Sequence, residues 1–89
     1  MPNYFIEITD TFGGEPNYSW VTRHKVRASS PRGAMVRIGR AAGMAWHIVG
    51  DYGDMVRYDS KSGATCAFVQ GWDNDTHGVI GRVETNLEV

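Results

Sequence analysis

The sequence is poor in cysteine, which cross-links many small domains through disulfides, and in leucine, which fills many hydrophobic cores. It has one cysteine, Cys66, and one leucine, Leu87. A lone cysteine cannot form a disulfide within the chain, so packing must hold the fold, and a reducing compartment is expected. Three tryptophans, four tyrosines and three phenylalanines are present instead, and aromatic residues bury the largest area per residue. The aromatic residues expected to form the core are Tyr4, Trp20, Trp46, Phe68 and Trp72.

Long apolar runs, repeats and linkers are also missing. No apolar stretch approaches the roughly 18 residues of a membrane-spanning helix, and residues 1–10 lack the basic start and apolar stretch of a secretory signal. The 42% hydrophobic content and the 11% aromatic content are too high for a disordered chain. We therefore expect one domain, residues 1–89, located in the cytoplasm and without a membrane partner.

Apolar residues at alternate positions predict a series of short strands. A turn at Gly13 and Gly14 separates the first two, and every later link between strands is short enough for an antiparallel hairpin. The predicted strands are residues 4–9, 18–28, 46–49, 54–59 and 64–72, with residues 79–85 as an optional edge strand or irregular tail.

One segment, residues 31–43, has helical spacing. Ser30 is a suitable N-cap, Pro31 fits the first helical position, and Gly43 is a plausible C-cap. The predicted apolar stripe of this helix consists of Ala34, Met35, Ile38, Ala41 and Ala42. The expected fold class is α+β, a two-layer sandwich of one helix on an antiparallel sheet in the order ββαβββ.

Charge is unevenly distributed although the net charge is −1. Residues 18–40 hold six basic residues and no acidic residue. Alternation places Arg23, Lys25 and Arg27 on one face of the second strand, where Glu7 and Phe5 of the first strand could join them. Tyr58 would lie there too if the register allows it. The candidate binding residues are Phe5, Arg23, Lys25, Arg27, Arg37 and Arg40.

This basic face has three interpretations. It can be a solvated face whose cations pair with nearby acids, a docking surface for an acidic protein, or a nucleic-acid interface with aromatic stacking. Nucleic-acid-binding domains usually have an isoelectric point above about 9, whereas this chain has one near 6.2. The sequence leaves the three interpretations open.

Residues 73–84 have the spacing of a calcium loop. Asp73, Asp75 and Glu84 occupy positions one, three and twelve, and Gly78 occupies position six. However, His77 stands at position five, where calcium requires oxygen, and the flanking sequence is not helical. The alternative is a polar loop with chance acids, so we expect no bound metal.

No catalytic pattern stands out, and no cofactor motif is present. No pair among His24, His47, His77 and Cys66 has the close spacing of a structural zinc site. Cys66 lies in the middle of a predicted strand and is expected to be a small buried side chain rather than a nucleophile. The sequence therefore predicts a protein without enzymatic activity.

Three short segments resemble small uncharacterised proteins encoded by tailed bacteriophages and prophages. They are residues 17–23 (NYSWVTR), 54–58 (DMVRY) and 66–69 (CAFV), and the similarity extends over about residues 3–72. The resemblance implies a small accessory protein in the cytoplasm of a bacterial host, where such proteins often bind host proteins, and it transfers no binding residue.

The leading hypothesis is a module that binds a host or phage protein through a sheet face or edge. The alternative is a small nucleic-acid-binding protein that uses the basic region 23–40. Sequence does not indicate the oligomeric state.

Overall fold

Six strands and two helices make up the fold in a computed structural model, which describes residues 1–80 and 83–87. The elements are β1 (Asn3–Phe12), β2 (Glu15–Arg27), α1 (Pro31–Ala42), β3 (Trp46–Asp51), β4 (Met55–Ser60), β5 (Thr65–Gly71), α2 (Asn74–His77) and β6 (Thr85–Leu87).

All six strands form one sheet in the order β3-β4-β5-β1-β2-β6. β1 is central and pairs antiparallel with β2 on one side and β5 on the other. β6 pairs with β2 in parallel. The α+β class is therefore confirmed, but the prediction of a wholly antiparallel sheet with one helix was wrong. The sheet is mixed, and the single turn of α2 lies between β5 and β6. The optional strand at 79–85 includes residues 81–82, which lie outside the described residues.

The first hairpin follows the sequence closely. Gly13 and Gly14 both have positive φ, 61° and 83°, as the tightest hairpin turns require. The register places Glu7 opposite Arg23, as the alternation predicted. Near the tip a β-bulge interrupts the pairing between Thr9 and Thr11, which strengthens the local twist of the strands.

Helix α1 begins and ends at the predicted caps. The Ser30 side chain accepts a hydrogen bond from the Gly33 backbone N–H at 3.0 Å, and Gly43 adopts the left-handed conformation at φ 67°. The helix residues buried against the sheet are Ala34, Met35, Ile38 and Gly39. The predicted stripe was wrong at Ala41 and Ala42, which are exposed, because α1 meets the sheet through its first three turns.

The core lies between α1 and one face of the sheet. It is built from aliphatic residues more than from aromatic ones: Ile6, Ile8, Val26, Ala28, Ala34, Met35, Ile38, Val56, Tyr58, Ala67 and Val69. Tyr4 and Trp46 pack against it, as expected. The prediction that Trp20 lies in the core was wrong, since its side chain is 44% exposed. Phe68 lies on the opposite face, beside Glu7 in the register. We call that opposite face the open face.

Candidate functional site

The basic residues of β2 lie together on the open face, where two of them, Arg23 and Lys25, contact other side chains. The Arg23 Nε lies 3.3 Å from a carboxylate oxygen of Glu7. The Lys25 ammonium sits 4.6 Å from the centre of the Trp72 ring, within the range of a cation–π interaction. Arg27 is exposed at the end of the strand. Within the molecule, Glu7 therefore pairs with one of the three cations of the predicted patch, and Trp72 covers a second.

Phe5 is not available as a stacking platform. It is only 4% exposed, because its ring stacks on His77 at a centroid distance of 4.3 Å and an interplanar angle of 10°. Trp72 completes the cluster, 6.0 Å from Phe5. Tyr58 does not reach the open face, since it is buried in the core on the side of α1. His77 of the short helix α2 thus covers Phe5, the aromatic residue that sequence analysis assigned to binding. Trp72, which was expected in the core, lies in this cluster instead.

The two helix arginines of the candidate set have different roles. Arg37 Nη1 donates hydrogen bonds to the carbonyl oxygens of Arg27 at 2.7 Å and Leu87 at 2.9 Å. It therefore ties α1 to β2 and β6. Arg40 is exposed on the helix, away from the open face. The structure does not assemble the six predicted binding residues into one surface.

The predicted calcium ligands are not gathered either. Asp73 caps α2, and its carboxylate accepts a hydrogen bond from the Asp75 backbone N–H at 2.9 Å. The Glu84 backbone N–H donates to the Arg23 carbonyl at 2.7 Å, beside β2. Within residues 1–80 and 83–87, no group of three or more acidic, histidine or cysteine side chains could hold a metal ion.

Cys66 lies in the sheet and is fully buried. Burial raises the pKa of its thiol, and the Arg57 charge offsets part of that rise. A buried thiol with a raised pKa is a poor nucleophile. The position fits the small apolar role that the sequence predicted for this residue.

A groove lies between α1 and β3, and we call it the α1–β3 groove. Its volume is about 690 Å³, within the range of ligand-binding sites. Its lining residues are Arg32, Met35, Val36, Gly39, Arg40, Met44, Ala45, Trp46, His47, Ile48 and Tyr58. They come from one stripe of α1, the loop that follows it, and the strands β3 and β4.

Gly39 sets the shape of the groove where α1 ends. A Cβ atom at this position would lie 2.7 Å from the Met44 carbonyl oxygen and 3.3 Å from Trp46 Cδ1. Only glycine allows the chain to turn back so closely under the helix. The Trp46 ring therefore packs against the helix backbone and forms an apolar wall.

The charged residues that line the groove are all positive. Arg32 and Arg40 lie at the two ends of its helical wall, and no acidic residue lines it among those that the structure describes. The Arg32 charge acts on Tyr58, whose pKa is raised by burial and partly lowered by that charge. The groove combines an apolar floor with cationic ends.

Strand β3 also forms an edge of the sheet. It pairs with β4 on one side only within the described residues, and its exposed side chains include Ile48 at 56% and Val49 at 47%. A bulge between Ile48 and Gly50 leaves Val49 without a partner on β4. Unpaired backbone groups beside exposed apolar side chains are a template for another strand.

The other exposed edges are protected in ways that β3 is not. Among the described residues, β6 is three residues long. Beyond β6, the outer part of β2 carries Pro16 and the left-handed Tyr18 at φ 56°, and the Ser19 backbone N–H donates to Asp10. Proline, irregular backbone and short length are the usual means of blocking strand addition. β3 contains neither a proline nor a left-handed residue, and its one irregularity is the bulge at Val49.

A second, smaller cavity of about 300 Å³ lies on the other side of α1, beside Trp20, Thr22 and His24. His24 is buried, and its Nε2 lies 2.9 Å from the Thr22 hydroxyl. Its Nδ1 has no hydrogen-bond partner among the described residues. Burial lowers the pKa of His24, against a smaller opposing effect of the Glu84 charge.

Comparisons with known proteins add no homologue. The chain matches no protein-family model, and no curated protein and no solved structure is significantly similar to it. In the described part of the chain, none of the helices is both long enough and apolar enough to cross a membrane.

Sequence reasoning missed the α1–β3 groove. One signal was available, because Arg32, Met35, Val36, Gly39 and Arg40 follow the three- and four-residue spacing of a single helical face. That face has a charge at each end and apolar residues or glycine between. The groove also needs a strand edge beside it, and no local pattern reveals which strand is the edge.

Proposed function

We propose that this chain is a non-enzymatic binding module that receives an extended segment of a protein partner along β3. The segment adds to the sheet edge by backbone hydrogen bonds, and its inward side chains fill the α1–β3 groove. Peptide recognition by strand addition works in this way: the backbone supplies affinity and the pockets supply specificity. The observation that supports it best is the edge strand β3, which is unpaired on its outer side within the described residues and free of proline, beside an apolar groove.

The expected affinity is moderate. β3 has six residues, so a segment paired along it buries much less area than a standard protein interface, for which about 800 Å² per partner is typical. We expect dissociation constants in the micromolar range, roughly −8 kcal/mol or weaker. Binding of this strength suits a reversible accessory protein.

The partner proposed is a host or phage protein in a bacterial cytoplasm. This part of the proposal is supported by the resemblance of residues 17–23, 54–58 and 66–69 to small phage-encoded proteins. It is independent of the geometry of the groove. Evidence against a phage origin would leave strand addition at β3 standing.

The proposal is tested by selecting ligands from a random-peptide library displayed on a carrier and mapping them onto the protein. Amide chemical shifts of the labelled protein are recorded as a selected peptide is added. We expect the changes to be concentrated in β3 and in the α1 residues of the groove. Changes centred on the open face, or no saturable binding by any selected peptide, would overturn the proposal.

A matched pair of variants gives a second readout. Ile48→Lys places a charge in the groove, and Val79→Lys places the same charge at a site that is 79% exposed in the turn after α2. Both side chains are exposed, so both variants are expected to fold with stability within about 0.5 kcal/mol of the wild type. Only Ile48→Lys is expected to lose the selected peptides.

A further inference from the structure

The α1–β3 groove has a charge pattern that restricts what can occupy it. Arg32 and Arg40 are eight positions apart on α1, which corresponds to about 12 Å along a helix axis. Between them the wall is formed by Met35, Val36 and Gly39. An occupant that runs along this wall meets a cation, then an apolar stretch, then a second cation.

An extended chain covers about 12 Å in roughly four residues, at 3.3 Å for each residue. Residues four apart on a strand point to the same side, and so does the residue midway between them. Two acidic side chains at this spacing can therefore reach both arginines while the central side chain enters the apolar part of the groove. Acids three apart cannot, because they point to opposite faces.

We propose that the segment received along β3 carries the pattern acid-x-apolar-x-acid, with its acids directed at Arg32 and Arg40 and its central side chain between Val36 and Trp46. This inference rests on the proposed function, because it assumes strand addition at β3. It adds the chemistry of the partner, an acidic and apolar extended peptide. Arginine is well suited to this role, since its planar guanidinium can bind a carboxylate through two hydrogen bonds.

A second copy of the chain is not the expected occupant. Nowhere does the 89-residue sequence contain two acids four positions apart with an apolar residue midway between them. The nearest approach is Glu84 and Glu88, which have Asn86 at the midpoint. Two copies joined through their β3 edges would also bring the arginines of both grooves toward each other, which is electrostatically unfavourable.

The test uses three fluorescent synthetic peptides and the full chain. The first is Ser-Glu-Val-Leu-Val-Glu-Ser, which has the proposed spacing. The second, Ser-Glu-Val-Leu-Glu-Val-Ser, has the same composition and charge but a different spacing of the acids. The third replaces both glutamates of the first with glutamine. Fluorescence anisotropy at low and high salt gives the dissociation constants.

We expect the first peptide to bind at least about tenfold more tightly than either control at low salt, a difference of about 1.4 kcal/mol. Arg32→Gln and Arg40→Gln should each reduce this preference. Arg27→Gln, an exposed arginine on the open face, should leave it unchanged. Circular dichroism of each variant shows whether it is folded.

The outcomes separate the two proposals. If all three peptides bind equally and Ile48→Lys abolishes their binding, strand addition stands and the acidic pattern is wrong. The pattern is also wrong if none of the peptides binds. In that case the library selection decides the proposed function separately, because it makes no assumption about charge.

Discussion

Trp46 is the residue on which the shape of the groove depends most. It packs against the core and against Gly39 at the end of α1. Its indole N–H is buried and has no hydrogen-bond partner among the described residues. The contribution of Trp46 to stability therefore comes from packing and not from a hydrogen bond.

Replacing Trp46 with alanine should cost about 3 kcal/mol of unfolding free energy, the lower end of the usual range for a large aromatic residue, because the side chain is only partly buried. Trp46→Phe should cost clearly less, since it keeps most of the packing and loses a donor that has no acceptor. Urea unfolding measures both. A Trp46→Ala protein with wild-type stability would show that this side chain does not support the fold.

His24 should make stability depend on pH. Burial lowers its pKa in the folded protein, whereas the unfolded chain keeps a value near 6.5. Below about pH 6.5 the unfolded state therefore binds more protons, and the unfolding free energy falls as the pH decreases toward the folded pKa. Urea unfolding at pH 7.5 and at lower pH should show this loss.

A control variant isolates the histidine responsible. His24→Gln should remove most of the pH dependence of the unfolding free energy just below pH 6.5. His47→Gln changes an exposed histidine and should retain that dependence.

Asp10 affects stability in a more acidic pH range. Hydrogen bonds from the side chains of Ser19 and Asn17 lower its pKa to about 2. The contribution of the Asp10 carboxylate to folding stability is therefore lost only as the pH falls from about 3.8 to 2.

At the scale of the element, α1 contains two interior glycines with different surroundings. A Cβ atom at Gly39 would lie 2.7 Å from a backbone oxygen, whereas one at Gly33 would first meet the Ser30 side chain at 3.3 Å. Alanine is favoured over glycine within a helix by about 1 kcal/mol. At Gly39 the collision with the backbone opposes this gain.

We therefore expect Gly39→Ala to lower the melting temperature and Gly33→Ala to change it little. Differential scanning calorimetry of the two variants provides the comparison. Equal melting temperatures would mean that the turn after α1 can move away from the helix, and that Gly39 does not fix the groove.

The sequence contained the local elements but not the way they assemble. The alternation in the first two strands, with Glu7 opposite Arg23, and the caps of α1 could be predicted because neighbouring residues determine them. The position of β5 beside β1, and of β3 at an edge, depends on packing between distant segments, which no local period records. Helix α2 was also missed, although Asp73 is a recognisable N-cap.

The same distinction explains the error at the binding residues. The pattern placed Phe5 and Lys25 correctly on one face, and the register confirms that they are partners. It could not show that Trp72 and His77 would fold over that face and cover Phe5. The charge pattern predicted a basic binding surface, but in the fold Arg23 pairs with Glu7 and Lys25 lies over Trp72.

At the scale of the whole molecule, the open face should bind nucleic acid poorly. Arg23 is paired with Glu7 and Lys25 lies over Trp72, and the chain has a formal charge of −1. Binding to phosphates releases counterions and gives a steep dependence on salt. We expect no salt-dependent retention of the wild type on DNA or RNA.

Retention of the wild type on DNA or RNA would call for a second experiment. If retention is seen, replacing Arg23, Lys25 and Arg27 together with glutamine should abolish it only if the open face is responsible. Each of these side chains lies at the surface, so the triple variant is expected to remain folded, with a loss of about 1 kcal/mol or less. Retention that disappears in the triple variant would support the nucleic-acid alternative over the proposed function.

The most direct test of strand addition is the hydrogen exchange of the β3 backbone amides, with and without a peptide that binds. Outward-facing amides of an edge strand exchange quickly in the free protein, and pairing with an added strand slows them. We predict slower exchange at alternate residues of β3 when the peptide is bound, and no slowing in the Val49→Pro variant, whose ring blocks the edge at the bulge. Peptide binding that leaves the exchange of the β3 amides unchanged would contradict the account.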